Sequence, residues 1–352
     1  MASRFIDPSR RALNPTDWPR LDQDLWRDAL STGSLFDTTG RAAHWRPATR
    51  RTNIQHYGRW LGFLAWKGLL DPNCTPAERV TRVHVRLFHE HLDRTVAPYT
   101  QLALLVGLKV MVKAMHPSQD WTWLAKACNR LQTKARRLHT KPPISLSCGQ
   151  MDALAQAHII QAAAMFEADG GLKGAIALRD ALMLALMVRR PLRIRNFTAL
   201  SLGTSIKRVG STWRISIADV DTKNGDPIDS DIPLPLVPFL ELYLTKARML
   251  FPGAAGTDRL WLNKRGRNCH ANWIHPRITQ LTAKVFGLRL NPHKFRDVGA
   301  TFLAYEAPQS PLLAASLLSH RHLSTTKRWY LRADNLRAAE RINTLLAEKR
   351  SK

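Results

Sequence analysis

The residues that most invite a chemical reading are those of Pro292-His293-Lys294-Phe295-Arg296. A three-residue spacing at the start of a helix puts the imidazole of His293 and the guanidinium of Arg296 on one face, where both could converge on a phosphate. The same His-x-x-Arg spacing recurs at His56/Arg59 and His91/Arg94, so the pair acquires meaning only from the elements around it. Other chemistries find little support. No G-x-x-x-x-G-K-[ST] loop occurs, and the glycine cluster Gly170-Gly171-Leu172-Lys173-Gly174 lacks that ending. His89-Glu90-His91 does not have the zincin spacing, and there is no G-x-S-x-G elbow. The four cysteines, Cys74, Cys128, Cys148 and Cys269, form no C-x-x-C pair, which argues against both a zinc knuckle and a disulfide framework. No metal is expected.

The elements that must hold such residues can be followed along the chain. Residues 1–43 mix Pro, Asp, Arg and Trp without sustained periodicity and read as an N-terminal extension of unknown role. From Thr52 a helical pattern sets in, with Ile54, Tyr57, Leu61 and Leu64 on one face, ending near Gly68. Further helices are expected over Thr81–Arg94, over Pro98–Met115 with Leu104, Leu108, Met111 and Met115 buried, and after the N-cap Asp120 with Leu124, Cys128, Leu131 and Leu138 in line. These make a small helical domain over 44–139. Thr140-Lys141-Pro142-Pro143 cannot continue a helix, so 140–147 reads as a linker. A second domain, 148–352, opens with helices over Met151–Glu167 and Leu172–Val188. It changes character at Ser205: Trp213–Ile217 alternates as a strand, Asn224-Gly225-Asp226-Pro227 is turn chemistry, and Ile228–Leu234 leads out again. Helical patterning returns over Leu236–Phe251, Trp273–Phe286, Lys294–Tyr305, Leu312–Leu318 and, last, 335–349.

Charge narrows the partners. Lys and Arg number 53 against 27 Asp and Glu, a formal charge of +26 on 352 residues, which makes nucleic acid the first partner to consider. The helix after Asp120 is basic on its exposed side, with Lys126, Arg130, Lys134, Arg136 and Arg137 leading to Lys141 at the domain exit; these are the candidate DNA-binding residues. The N-terminus lacks a continuous apolar signal region, and no run approaches the roughly 18 apolar residues of a membrane span, so a soluble protein of a reducing interior is expected.

One ordered set then stands out: Arg193 in Pro191-Leu192-Arg193-Ile194, Lys223 in the turn Thr222-Lys223-Asn224-Gly225, His293 with Arg296, His320 in Leu318-Ser319-His320, and Tyr330 in Lys327-Arg328-Trp329-Tyr330. In this the sequence resembles the tyrosine recombinase (phage integrase) family, whose active site runs Arg, hairpin Lys, His-x-x-Arg, His or Trp, and Tyr in that chain order. The resemblance covers about 150–350, and 50–140 looks like the family's helical core-binding domain. It implies a mainly α fold with a small β-sheet (α+β), built as a two-domain C-shaped clamp around duplex DNA. Two departures are visible. Asn196 stands where members usually carry a Glu, and Tyr330 lies ten residues after His320, one more than usual, with Trp329 in the customary slot. On a helix that extra residue turns a side chain by about 100°. Tyr305, the other tyrosine of this region, precedes His320 and reads as a core residue.

These residue types suit phosphodiester exchange. Attack on phosphorus loads negative charge onto the non-bridging oxygens, and Arg193 and Arg296 can each offer them a bidentate, permanently cationic fork. The phenol of a tyrosine ionises near pH ~10 and needs help losing its proton. The resemblance implies that His293 assists as base, that His320 hydrogen-bonds the phosphate and that Lys223 protonates the departing 5′ oxygen. Lys207 and Lys246 are rival basic groups for the last role, and His322 competes with His320. A covalent 3′-phosphotyrosyl link conserves the bond energy, so no cofactor is expected. The resemblance further implies a synapse of four protomers, homo- or heteromeric and open to sister recombinases, work for a mobile element, and a place with the bacterial nucleoid in the cytoplasm. A catalytically silent DNA-binding accessory subunit and a type IB topoisomerase-like relaxing enzyme use the same fold or chemistry and stay open as alternatives.

Overall fold

A computed structural model of the chain describes residues 7–34, 38–138, 144–222, 225–310, 312 and 342. The chain divides into two compact units, Met1–Pro142 and Pro143–Lys352. The division falls within the stretch 140–147, expected from the sequence as a linker.

In the first unit the described residues form helices α1 (Arg20–Leu30), α2 (Pro47–Trp66), α3 (Pro76–Arg79), α4 (Arg82–Thr95), α5 (Pro98–Met115) and α6 (Thr122–Leu138). The start signals are local. Proline occupies the first turn of α2, α3 and α5, Thr81 accepts the His84 N–H at the head of α4, and Asp120 accepts the Thr122 N–H at 2.8 Å. Helix α2 begins at Pro47, ahead of the expected Thr52, because proline pre-sets the backbone angle of a first turn. Tyr57, Trp60, Leu61 and Leu64 of α2 bury themselves against Val85, Phe88 and Leu92 of α4, Leu104, Leu108, Met111 and Met115 of α5, and Leu124, Cys128 and Leu131 of α6. Leu138, expected in that row, is exposed; Ala135 takes the last buried position of α6.

The described residues ahead of α2 do not trail off as an extension. Trp18, Trp26, Ala29 and Ala42 belong to the same core. The segment before α1 lies across α2, where Leu13 N donates to Gly58 O at 3.0 Å and Arg59 Nη1 to Ser9 O at 2.6 Å. Glycines four apart on α2 make this approach possible: a Cβ at Gly58 or Gly62 would run into the backbone oxygens of Leu13 and Arg11.

The second unit opens with α7 (Cys148–Asp169), whose N-terminus carries a reciprocal Ser147/Gln150 capping box, and which ends where Gly170 turns left-handed at φ 61°. Helix α8 (Leu172–Arg189) packs along it. From Leu178 to Val188 every residue of α8 is buried, as befits a helix at the centre of a unit. After α9 (Ile194–Thr198) come three antiparallel strands, β1 (Ile206–Val209), β2 (Thr212–Ile217) and β3 (Ile228–Asp231), in that spatial order, with Ile206 opposite Ile215 and Ile215 opposite Ser230. Ile215 and Ile217 point into the core at the two-residue period of a strand.

The stretch Leu236–Phe251, expected as one helix, changes hand-hold on the way. Helix α10 (Val237–Leu242) passes into a π turn at Tyr243–Ala247 and a 3-10 turn at Arg248–Leu250. Its distant partners account for this. Tyr243 donates its hydroxyl to Leu260 O at 2.9 Å, and Arg248 donates to the carbonyls of Ala254, Thr257 and Arg259, all outside the helix. Helices α11 (Ala271–Phe286) and α12 (Pro292–Glu306) follow. Among the described residues no helix is long and apolar enough to cross a membrane. The expected helices over Leu312–Leu318 and 335–349 lie outside the described residues, apart from Leu312 and Ile342.

Candidate active site and nucleic-acid interface

Arg193 stands at the N-cap of α9, three residues beyond the C-cap of α8 and two beyond Pro191. This corner is pinned from below. Trp261 donates its indole N–H to Phe197 O at 3.0 Å and stacks on the Phe197 ring at 5.2 Å, while Leu260 N donates to Leu200 O. Asn196, in the slot where the resemblance expects Glu, is buried beside it, and its Nδ2 finds no acceptor among the described residues.

Arg296 reaches the same corner from the other end of the unit. The turn before α12 is held by Thr282, whose hydroxyl accepts Leu290 N at 2.9 Å and donates to Leu290 O at 3.1 Å. Asn291 then caps the helix through His293 N at 3.1 Å, and Phe295 buries its ring next to Phe286. Held in this way, Arg296 is 5% exposed and donates Nη1 to Pro191 O at 2.6 Å. Burial above all, and next the charge of Arg193, pushes its pKa down to about 10, against the pull of Asp297. Burial also lowers Arg193, opposed by the charge of Asp226. The charge of Arg193 therefore acts on a guanidinium far away in sequence, and both groups are partly stripped of water.

His293 sits one turn before Arg296 on α12. Its side chain is 72% exposed, with Nε2 3.9 Å from Asp297 Oδ1. Asp226 belongs to the connection between β2 and β3, so its action on Arg193 brings that connection towards the arginine pair. Thr222, almost fully buried, fastens the connection by donating its hydroxyl to Asp219 O and accepting Gly225 N, both at 3.0 Å. Lys223 between these two anchors lies outside the described residues, as do His320, Tyr330 and Lys141. Tyr305, expected in the core, is only half-buried at the end of α12. Among the described residues no group of His, Cys, Asp and Glu is arranged to hold a metal ion.

The basic residues of α6 do not act as one face. Lys126, Arg130 and Lys134, one turn apart each, line a groove of about 670 Å³ whose opposite wall is Arg82, Arg86 and His89 of α4. Arg136 and Arg137, both exposed in the last turn, do not line it. The α4 wall escaped the reading of charge runs because its cations are interleaved with Val85 and Phe88, which face the core. The signal was present as a stripe at positions 82, 86 and 89, which share one face of a helix. The Arg82 guanidinium lies 5.6 Å from the centre of the Trp123 ring, and Asp120 joins the lining. Lys134 is also paired with Asp93 at 3.5 Å, both half-exposed.

The sequence profile of the phage integrase family matches residues 157–337, just over half of the chain, and the chain belongs to that family, the tyrosine recombinases. No curated protein matches it. Among solved structures, a crystal structure of XerA recombinase matches with a TM-score of 0.39 and 15% sequence identity, covering 82% of this chain and 89% of that one.

Proposed function

We propose that this protein cuts and rejoins DNA at defined sites through a covalent 3′-phosphotyrosyl intermediate formed by Tyr330, as the integrase or transposase of a mobile element. The observation that carries the reading is the convergence of Arg193 and Arg296 at one partly desolvated corner, in a chain of the phage integrase family. In this reading the two guanidinium forks hold the non-bridging oxygens of the scissile phosphate and stabilise the charge that builds on them during attack. Little is left for a metal to supply at that point. The exposed imidazole of His293 stands one helical turn away to take the phenol proton, His320 hydrogen-bonds the phosphate, and Lys223, carried between the anchors Thr222 and Gly225, delivers a proton to the leaving 5′ oxygen. The bond energy passes into the tyrosyl ester and back, so that ligation needs no nucleotide cofactor.

The groove between α4 and α6 supports the binding half of the proposal: its five Lys and Arg residues fit a phosphate strand. Both units then engage one duplex as a C-shaped clamp, and four protomers, alike or with sister recombinases, form the synapse. The test is covalent trapping. With a suicide substrate carrying a nick next to the cleavage site, the wild-type chain is expected to yield a protein–DNA adduct that Tyr330→Phe does not form. No adduct on the cognate site sinks the proposal. The ten-residue interval from His320 to Tyr330 favours a second reading, a silent DNA-binding subunit of the same fold. That reading expects site-specific binding by the wild-type chain with no adduct at all.

A further inference from the structure

One wall of the groove, α4, is entered through a corner to which a residue from far upstream is bonded. Asp22 of α1 is completely buried, and so is nearly all of Arg79, the last residue of α3. Arg79 presents Nη1 to Asp22 Oδ1 at 3.0 Å and Nη2 to Asp22 Oδ2, while the hydroxyl of Tyr57 donates to Oδ1 at 2.6 Å. The rest of the guanidinium is engaged too, with Nε and Nη2 both donating to Cys74 O, at 3.1 and 2.5 Å. The backbone of Arg79 then shapes the entry to α4. Its carbonyl accepts Thr81 N at 3.0 Å and meets His84 Nδ1 at 2.9 Å, and Thr81 caps the helix through His84 N. Arg82 follows directly, and Arg86 and His89 lie on the same stripe.

A buried ion pair is a weak source of stability, since well-packed apolar residues in its place often serve as well. What a forked guanidinium on a carboxylate does supply is one defined geometry. We infer that Asp22 is a positioning residue for DNA binding: through Arg79 it fixes the α3–α4 corner, and thereby aims Arg82 and Arg86 into the groove. The inference rests on the reading of that groove as a DNA interface. It assigns the N-terminal segment, otherwise remote from any chemistry, a part in recognition.

The experiment is a double-mutant cycle on the full-length chain, read as the dependence of log affinity on log salt concentration with a mixed-sequence DNA duplex about 30 base pairs long as the probe. Each neutralised phosphate contributes about 0.9 to that slope. Arg82→Ala combined with Arg86→Ala is expected to flatten the slope by about 1.8. Asp22→Asn, close in volume but without the charge, is expected to flatten it by about 0.9 or more in the otherwise wild-type chain, and to leave it unchanged when Arg82 and Arg86 are already alanine. Arg79→Lys keeps the charge but loses the fork, and follows the same rule. A merely structural role would not produce this dependence on background. If Asp22→Asn leaves the slope at its wild-type value while the Arg82/Arg86 variant flattens it, or lowers it equally in both backgrounds, the inference is overturned. If both Asp22→Asn and Arg79→Lys fail to fold by circular dichroism, it is also overturned, because the pair then determines the fold and does not aim a surface. An Arg82/Arg86 variant with an unaltered slope would instead overturn the reading of the groove.

Discussion

Arg296 holds a charge at 5% exposure with the charge of Arg193 acting against it and that of Asp297 for it, so a bound anion would stabilise the charged form further. The direction of its pKa makes this testable. The folded chain releases the proton at about 10, well below the pH at which the unfolded chain does. The folded state thus carries an unfavourable contribution everywhere below pH about 10, which fades as the pH rises above about 10 towards the higher unfolded value. A bound anion reverses the balance, because it prefers the protonated group. Sulfate, whose charge does not change in this range, is therefore expected to raise Tm at pH about 8 and to lose that effect above pH about 10, and Arg193→Ala should abolish the effect throughout. A Tm shift by sulfate that ignores either change would show that the pair does not hold the anion. For strand cleavage, Arg193→Ala and Arg296→Ala should each lower the single-turnover rate of adduct formation by about 10²- to 10³-fold, the scale of losing one preorganised donor to a developing oxyanion. At this scale the sequence is partly legible. The order of Arg193, Lys223, His293, Arg296, His320 and Tyr330 names the candidates, but only the fold reveals that Arg296 reaches Pro191 O and that Asp226 acts on Arg193.

Among the elements, the strongest helices are read easily because each buries one stripe: Leu104, Leu108, Met111 and Met115 on α5 are three or four residues apart and all lie in the core. The misses have equally specific reasons. Strand β1 buries only Ile206 of its four residues, too little to mark a period. Helix α1 buries Asp22, Trp26 and Ala29, so its inward face includes a carboxylate, which hydropathy counts as outward. The segment before it shows no period, since much of its fit to α2 runs through backbone atoms set against two glycines of the receiving helix, with Trp18 as its one large buried side chain. Gly58→Ala or Gly62→Ala, harmless by helix propensity, is therefore expected to cost about 1–3 kcal/mol through overpacking, measured by urea unfolding, and to open residues 7–18 to protease first. Equal or greater stability in the alanine variants would show that the segment can shift without loss.

For the whole molecule, charge is the feature that composition states most plainly, yet composition does not say where it works. Of the α6 cations, Lys126, Arg130 and Lys134 line the groove, while Arg136 and Arg137 do not. Replacing the first three by alanine is expected to flatten the salt dependence of duplex binding by about 2.7, and replacing the last two by clearly less. Equal effects per residue would mean that the net charge of +26 binds DNA without regard to the groove. The separation of Arg296 from Pro191 has a further result. The two are 105 residues apart in the chain, so the arginine pair cannot exist until α12 has been synthesised and has docked. A polypeptide cut short before Pro292 still contains every residue of the α4–α6 groove but has no second arginine at the corner. If the groove binds DNA as proposed, such a fragment is expected to compete with the intact protein for a duplex without forming the tyrosyl adduct, a competition that a titration of the trapping reaction measures.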